Sequence, residues 1–512
     1  MHLLLSPMQQ TDKLISPSVN WGSLTPLLVL LGAGLVLLVG AALSARGWAK
    51  GLYATLTAAA AVAAGVLQFV LWNSTVHHGP KSLVGEALVV DGPSLFIGIS
   101  ICAALLLAAL VTDDYLRRED IDSPEVYGLY LMAALGGLVM AASNDLIVLF
   151  LGLEVLSIAL YVLAASHRKR IESQEAGLKY FILGGFSSAF FLYGVALVYG
   201  ATGTTRLRGP ESIKTALALT VETDKHRALL VVGVALLLVG LAFKVAAVPF
   251  HSWTPDVYQG APTPVTGFMA SAAKAAAFGA LLRSVVLSMP ELRDDWRPAI
   301  WVLAILTLVI GSTLAVVQTN VKRMLAYSSI SHAGFILVGI EAAAHGGESG
   351  DRGIASVLFY VLTYAVLVSG TFAVSTLVGR SGDGAHGLDS YRGLGRQRPV
   401  LALALAVFLL AQAGVPLTSG FVAKFSVITA AADASSYAIA IIAMLAAVIG
   451  AFLYLRIIVS MFLEDGDAEG ERVSIPFGTG AAIGISVAFT LVVGFFPGWL
   501  LELARDAATR LY

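Results

Sequence analysis

Apolar residues run along this chain in blocks of about twenty, parted by short polar turns, and that rhythm predicts helices that cross a membrane repeatedly. A helix rises about 1.5 Å per residue, so some 20 apolar residues bridge the hydrocarbon layer. About fourteen spans are predicted, near 24–45, 50–72, 91–113, 126–142, 144–166, 176–201, 228–250, 262–289, 298–319, 324–344, 353–379, 399–432, 435–463 and 476–500. The run after Trp21 lacks a small-residue cleavage pattern and reads as a first span, not a cleaved leader. Charge collects between the blocks, at 112–127, 167–170 (HRKR), 202–227, 380–398 and 464–474, and these segments are expected in water. SIKTALAL, within 202–227, and the tail 501–512 are predicted as short interfacial helices.

The pattern is disturbed twice. Pro249 falls at the end of the seventh span and removes an amide proton that a helix interior needs. The twelfth block, 399–432, is too long for one straight crossing and is interrupted at AGVPLTSG, 413–420. Irregular backbone at membrane depth persists only where protein buries it or a wet cavity lines it. Both places are therefore predicted as broken helices.

The candidate chemistry lies beside these breaks. Lys244 precedes the first, Lys274 sits in the middle of the eighth span, and Lys424 follows the second. A lysine inside a span costs roughly 2.5–3.5 kcal/mol on insertion scales, so a partner or a water path is expected. Glu154 lies near the centre of the fifth span, too deep for its short side chain to reach either surface, and suits a proton site or the partner of a buried cation. His332 shares the tenth span with Ser328, Ser329 and Ser331, a polar stripe compatible with a hydration path. Other charges have blander explanations. Lys179 and Arg456 read as side chains snorkelling to a surface, and Lys322 and Arg323 as anchors at the membrane interface.

The interruptions AAVPFHS (246–252) and AGVPLTS (413–419) resemble each other and place their prolines about 167 residues apart. Five spans fall within 126–289 and five more within 298–463, and an odd number of spans per repeat inverts the second copy relative to the first. The expected fold is thus an all-α polytopic membrane protein with two inverted five-helix repeats, each containing a broken helix. Residues 1–125 form a three-helix scaffold, 126–290 the first repeat, 298–463 the second, and 464–512 a final span with its tail. Basic residues at Arg46/Lys50, Arg117/Arg118, Arg168–Arg170, Lys322/Arg323 and 380–398 favour both termini outside, although 206–227 runs against that orientation.

Composition narrows the chemistry. The 512 residues are 57% hydrophobic and 13% charged, about half the charge of an ordinary globular chain. The net charge of -1 argues against nucleic-acid partners. A single cysteine, Cys102, excludes an iron–sulfur cluster and a disulfide framework within the chain. No metal-ligand motif, phosphate-binding loop or dinucleotide fingerprint appears, so no cofactor or metal is expected in this chain.

The runs NDLIVLFLGLEVLSIALYVL (144–163), EAGLKYFILGGFSSAFFLYGVALVYGATG (175–203), FKVAAVPFHSWTPDVYQGAPTPVTGFMAS (243–271) and VKRMLAYSSISHAG (321–334) closely resemble the subunit N family of proton-pumping NADH–quinone oxidoreductases, respiratory complex I. The resemblance covers roughly 125–465 and is most specific in TPDVYQGAPTPVT (254–266). It implies a proton path through Glu154, Lys244, Lys274, His332 and Lys424, with Glu154 and Lys244 forming a switchable ion pair and His332 bridging toward Lys424. It implies a bacterial inner (plasma) membrane location among other complex I membrane subunits, antiporter-like ones included. NADH, flavin, iron–sulfur clusters and quinone would be held by those partners, and this chain would carry out no redox chemistry. Two rivals share the same residues: a multisubunit cation/proton antiporter subunit, and a structural subunit whose buried charges fix helix packing alone.

Overall fold

Local hydropathy translates directly into helices. The computed structural model describes residues 18–43, 51–121, 123–220, 224–465 and 475–512. In chain order the helices are α1 (Trp21–Leu43), α2 (Leu52–His78), α3 (Gly92–Arg118), α4 (Glu125–Ala142), α5 (Leu146–Ala164), α6 (Ile171–Thr202), short α7 (Ile213–Thr220) and α8 (Asp224–Val245). Then come α9 (Trp253–Gly260), α10 (Thr263–Leu287, with π turns at Met269–Ala273 and Leu282–Leu287), α11 (Arg293–Val316), α12 (Val321–Ala343) and α13 (Gly347–Val378). The last are α14 (Pro399–Ala413), α15 (Ser419–Asp433), α16 (Tyr437–Leu463), α17 (Phe477–Phe495) and α18 (Gly498–Thr509). Thirteen of the helices among the described residues are long and apolar enough to cross a membrane, and α14 with α15 supplies the remaining predicted block as two shorter pieces.

The apolar stretches of α10, α12 and α13 are enclosed by the other helices, whereas α1, α2, α6 and α16 leave most of their surface free, as a perimeter facing lipid or neighbours does. Small residues let the helices close up. A Cβ on Gly136 would meet the Leu156 amide at 2.6 Å and the Gly152 carbonyl at 2.7 Å, so α4 and α5 touch backbone to backbone.

Both predicted breaks are present. α8 stops at Val245, Ala246 takes a left-handed φ of 63°, and α9 resumes at Trp253. α14 stops at Ala413, Gly414 (φ 92°) and Leu417 (φ 66°) turn the chain, and Thr418 caps α15 by accepting from the Phe421 amide. A Cβ on Gly420 would strike the Ala411 carbonyl, which keeps that second break tight.

Several expectations are corrected. The link between α2 and α3 carries a two-stranded antiparallel sheet, β1 (Lys81–Ser82) with β2 (Val89–Val90), pairing Lys81 with Val90. α13 begins six residues before the predicted 353, because Gly347–Arg352 still hydrogen-bonds as helix. The charged run 112–127 is not simply a wet loop: α3 continues to Arg118, and Glu119 is buried beside Arg118 and His167. Lys322 is no interface anchor. It is fully buried, its Nζ donating to the Ala261 carbonyl at 2.7 Å and lying 3.5 Å from Asp383. Arg456 does not snorkel freely but donates to the Val316 and Gln318 carbonyls at the end of α11. Arg46, Lys50 and Asp122, and most of 464–474, lie outside the described residues.

Candidate functional site: buried lysines at two broken helices

A helix that stops inside the molecule presents its carbonyl end, which carries partial negative charge and stabilises a cation. Lys244 uses this directly, being in the last turn of α8. Its Nζ donates to the Tyr180 hydroxyl at 3.2 Å and lies 5.0 and 5.4 Å from the ring centroids of Tyr180 and Tyr161, within cation–π range. Trp253, the first residue of α9, stacks on Tyr180 with centroids 4.5 Å apart. Its Nε1 donates to the Phe243 carbonyl at 3.0 Å, satisfying part of the open end of α8. Thr307 of α11 performs the same service for the break, accepting from the Val248 amide at 2.9 Å.

Lys424 reaches the equivalent feature from the other side. It stands on α15 and donates across the break to the Ala413 carbonyl, 3.1 Å away, at the end of α14. Its ammonium lies 4.7 Å from the Phe335 ring centroid. Lys274, buried in the middle of α10, donates to the Ser329 carbonyl of α12 at 2.5 Å. Among the described residues, none of these three lysines has a carboxylate within ion-pair distance. The other two buried cations do: Arg283 has Asp91 at 2.6 Å and Lys322 has Asp383 at 3.5 Å.

The expected Glu154–Lys244 ion pair is not formed among the described residues. Glu154 is half-buried on α5, and its Oε1 is buried with no hydrogen-bond partner. The aromatic groups around Lys244 take the place that a carboxylate was expected to fill. His332 also differs from expectation, for both ring nitrogens go to tyrosines: Nδ1 lies 2.6 Å from the Tyr360 hydroxyl and Nε2 lies 3.2 Å from the Tyr454 hydroxyl. From Tyr454 the polar seam continues to Ser328 Oγ (2.6 Å), Gln412 (3.3 Å) and Thr371 (2.8 Å), joining α12, α13, α14 and α16.

Sequence reasoning missed Tyr161, Tyr180, Trp253, Tyr360, Tyr454 and Gln412. One signal was available: Gln412 is a lone amide in an apolar run, one residue before the interruption. The tyrosines gave none, because an aromatic ring in a span is ordinary. Removing the hydroxyl in Tyr454→Phe is expected to cost about 1–3 kcal/mol, since His332 Nε2 and Ser328 each lose a partner in a buried site. An earlier onset of thermal aggregation in detergent checks this, and an unchanged onset contradicts it.

Comparison with known proteins agrees with this architecture. Residues 143–450 match the family described as NADH:quinone oxidoreductase/Mrp antiporter, TM. A protein of Rhodococcus opacus named NADH-quinone oxidoreductase subunit N is 42% identical over 98% of both chains. A chain of respiratory complex I from Thermus thermophilus with bound aureothin superimposes with a TM-score of 0.76 at 34% identity, covering 94% of this chain and 99% of that one. A chain of the Mrp complex from Dietzia sp. shares the fold, with a TM-score of 0.77 at 23% identity over 96% of this chain and 98% of that one. With matches over nearly its whole length and broken helices that carry buried lysines, this chain belongs to the NADH:quinone oxidoreductase/Mrp antiporter transmembrane family and, within it, to the NADH-quinone oxidoreductase subunit N proteins.

Proposed function

We propose that this chain, as a membrane subunit of a bacterial NADH–quinone oxidoreductase, moves protons along Glu154, Lys244, Lys274, His332 and Lys424. The observation that carries the reading is the contrast among its buried cations. Arg283 and Lys322 have carboxylates, as charges that only hold helices together would. Lys244, Lys274 and Lys424 instead rest on carbonyls, hydroxyls and ring faces. Those partners stabilise an ammonium without placing a compensating negative charge in contact with it. Tyrosine and serine hydroxyls, each both donor and acceptor, suit the seam through His332 to proton relay.

In this reading Glu154 acts on Lys244 without a contact ion pair between them. A change of charge in a neighbouring subunit, driven by quinone reduction there, alters that influence and releases the Lys244 proton toward Lys274. Residues 126–290 and 298–463 act as the two inverted halves around the breaks, with 1–125 as scaffold and 464–512 closing the bundle. The NADH, flavin, iron–sulfur and quinone sites belong to partner subunits.

The test is an affinity pull-down of the tagged chain from native membranes in mild detergent, with the eluate assayed for NADH-driven quinone reduction. Activity in a large multi-subunit eluate is expected. The fold shared with the Mrp complex keeps one rival open. A smaller eluate that lacks this activity and exchanges Na+ or K+ for protons after reconstitution transfers the chain to the cation/proton antiporters.

A further inference from the structure

Asp383 lies outside the helices, between α13 and α14, yet no part of its side chain is exposed. It sits in a left-handed turn (φ 47°), a conformation aspartate tolerates better than most residues. Five other segments or residues send a polar group to it. The Thr263 amide and hydroxyl, at the first residue of α10, donate at 3.1 and 2.6 Å. Arg170, just before α6, donates at 3.0 Å, and His386 Nε2 lies at 2.8 Å. The Lys322 ammonium of α12 lies at 3.5 Å, and the Tyr115 hydroxyl of α3 also reaches it, at 3.5 Å. Burial by itself would raise the Asp383 carboxyl. Lys322, the bond from His386 and the Thr263 hydroxyl outweigh it and hold the group well below the usual carboxylate range.

What this carboxylate grips is specific. Thr263 opens the helix that carries Lys274, and Lys322 is in the first turn of the helix that carries His332. An ionised carboxylate at a helix N-terminus satisfies an otherwise orphaned amide and complements the dipole. Lys322 ties the same junction a second time, through the Ala261 carbonyl. Arg323 ties it a third time, reaching Asp256 Oδ1 at 2.6 Å and Gln259 at 3.2 Å on α9. The turn between the second half of the broken helix and the Lys274 helix is thus anchored to α12 by charge-assisted bonds, not by apolar packing alone.

We propose that Asp383 is a positioning residue for proton transfer: through Thr263 and Lys322 it holds the Lys274 helix in register with the His332 helix. The proposal rests on the proton-path reading above. It acts through rigid geometry, since each helix transmits a displacement at its first turn to a lysine or histidine ten or eleven residues further on.

The experiment uses the intact membrane complex carrying Asp383→Asn, Thr263→Val or Thr263→Ser, each scored for subunit content, NADH-driven quinone reduction and proton uptake into sealed vesicles. Asp383→Asn is expected to slow coupled turnover on the order of tenfold, below the hundredfold that a 1 Å misplacement of a reacting group can cost. Thr263→Val should lower it several-fold, and Thr263→Ser, which keeps the hydroxyl, should restore it. A normal rate of NADH-driven proton uptake in an assembled Asp383→Asn complex overturns the proposal. So does equal behaviour of the valine and serine variants, because that leaves the Thr263 hydroxyl without a role. If Asp383→Asn fails to assemble, the two Thr263 variants decide alone. Lys244→Met, run in parallel, separates the two readings: normal pumping there removes the proton path itself, whatever Asp383 does.

Discussion

Replacing Lys244 with Met is expected to leave the complex assembled and to abolish or sharply reduce its coupled proton pumping. Methionine has a similar length and flexibility and can occupy the space between Tyr161, Tyr180 and Trp253 without a large void. What it lacks is a proton to give and a charge for Glu154 to act on. Assembly is preserved because the lysine has no carboxylate partner, so its loss strands no buried charge in ion-pair contact, and only the Tyr180 hydroxyl gives up a bond. Lys244→Arg sharpens the test. Arginine keeps the positive charge at the end of α8 but does not release its proton in proteins. A structural role for the charge predicts rescue by arginine, and a proton-transfer role predicts failure. The measurement is NADH-driven vesicle acidification beside quinone reduction, with subunit content as control. Normal acidification by an assembled Lys244→Met complex would falsify the proton path.

Asp91→Ala is expected to have the largest effect on stability. Arg283 stands in the last turns of α10 with 2% of its side chain exposed, and Asp91 is fully buried 2.6 Å away. Arg283 also donates through Nε to the Ala141 carbonyl at 2.9 Å, so the guanidinium is held in place and cannot swing to water. Asp91 has a second duty as the N-cap of α3, where it accepts from the Ser94 amide at 3.0 Å while Ser94 Oγ accepts from the Asp91 amide at 2.9 Å. Alanine removes the cap, worth about 1 kcal/mol. It also leaves a buried guanidinium unpaired, which costs about 3–5 kcal/mol. The thermal aggregation temperature of the purified complex should fall clearly. Combining Asp91→Ala with Arg283→Met removes the stranded charge and should recover much of that loss, leaving the cap deficit. A double variant less stable than Asp91→Ala would show that the pair is not coupled in this way.

The two cases differ in how much the chain sequence disclosed. Lys244 was visible as a charge inside an apolar run beside a proline, and both signals are local. The Asp91–Arg283 pair was not noticed, because its members are 192 residues apart and each lies near a span end, where charge is unremarkable. Lys322 misled for the same reason. A lysine followed by an arginine at the start of a span has the pattern of an interface anchor. Only the folded chain brings Asp383 and the Ala261 carbonyl around it and keeps water away.

Sequence by itself determined the membrane-crossing blocks, the two interruptions and the charges inside apolar runs, Glu154, Lys244, Lys274 and Lys424. Hydropathy acts over about twenty consecutive residues, and proline removes its own amide wherever it stands, so both effects can be read without a partner. Tertiary structure alone decided what each charge meets. Lys244 faces Tyr180 and Tyr161 and makes no contact ion pair with Glu154, and His332 lies between Tyr360 and Tyr454. Lys424 reaches a carbonyl across a break, and Asp383 gathers groups from α3, the start of α6, α10 and α12. Such partners lie tens to hundreds of residues apart, and the energy of a buried charge depends on the few ångströms around it, a distance that only packing sets.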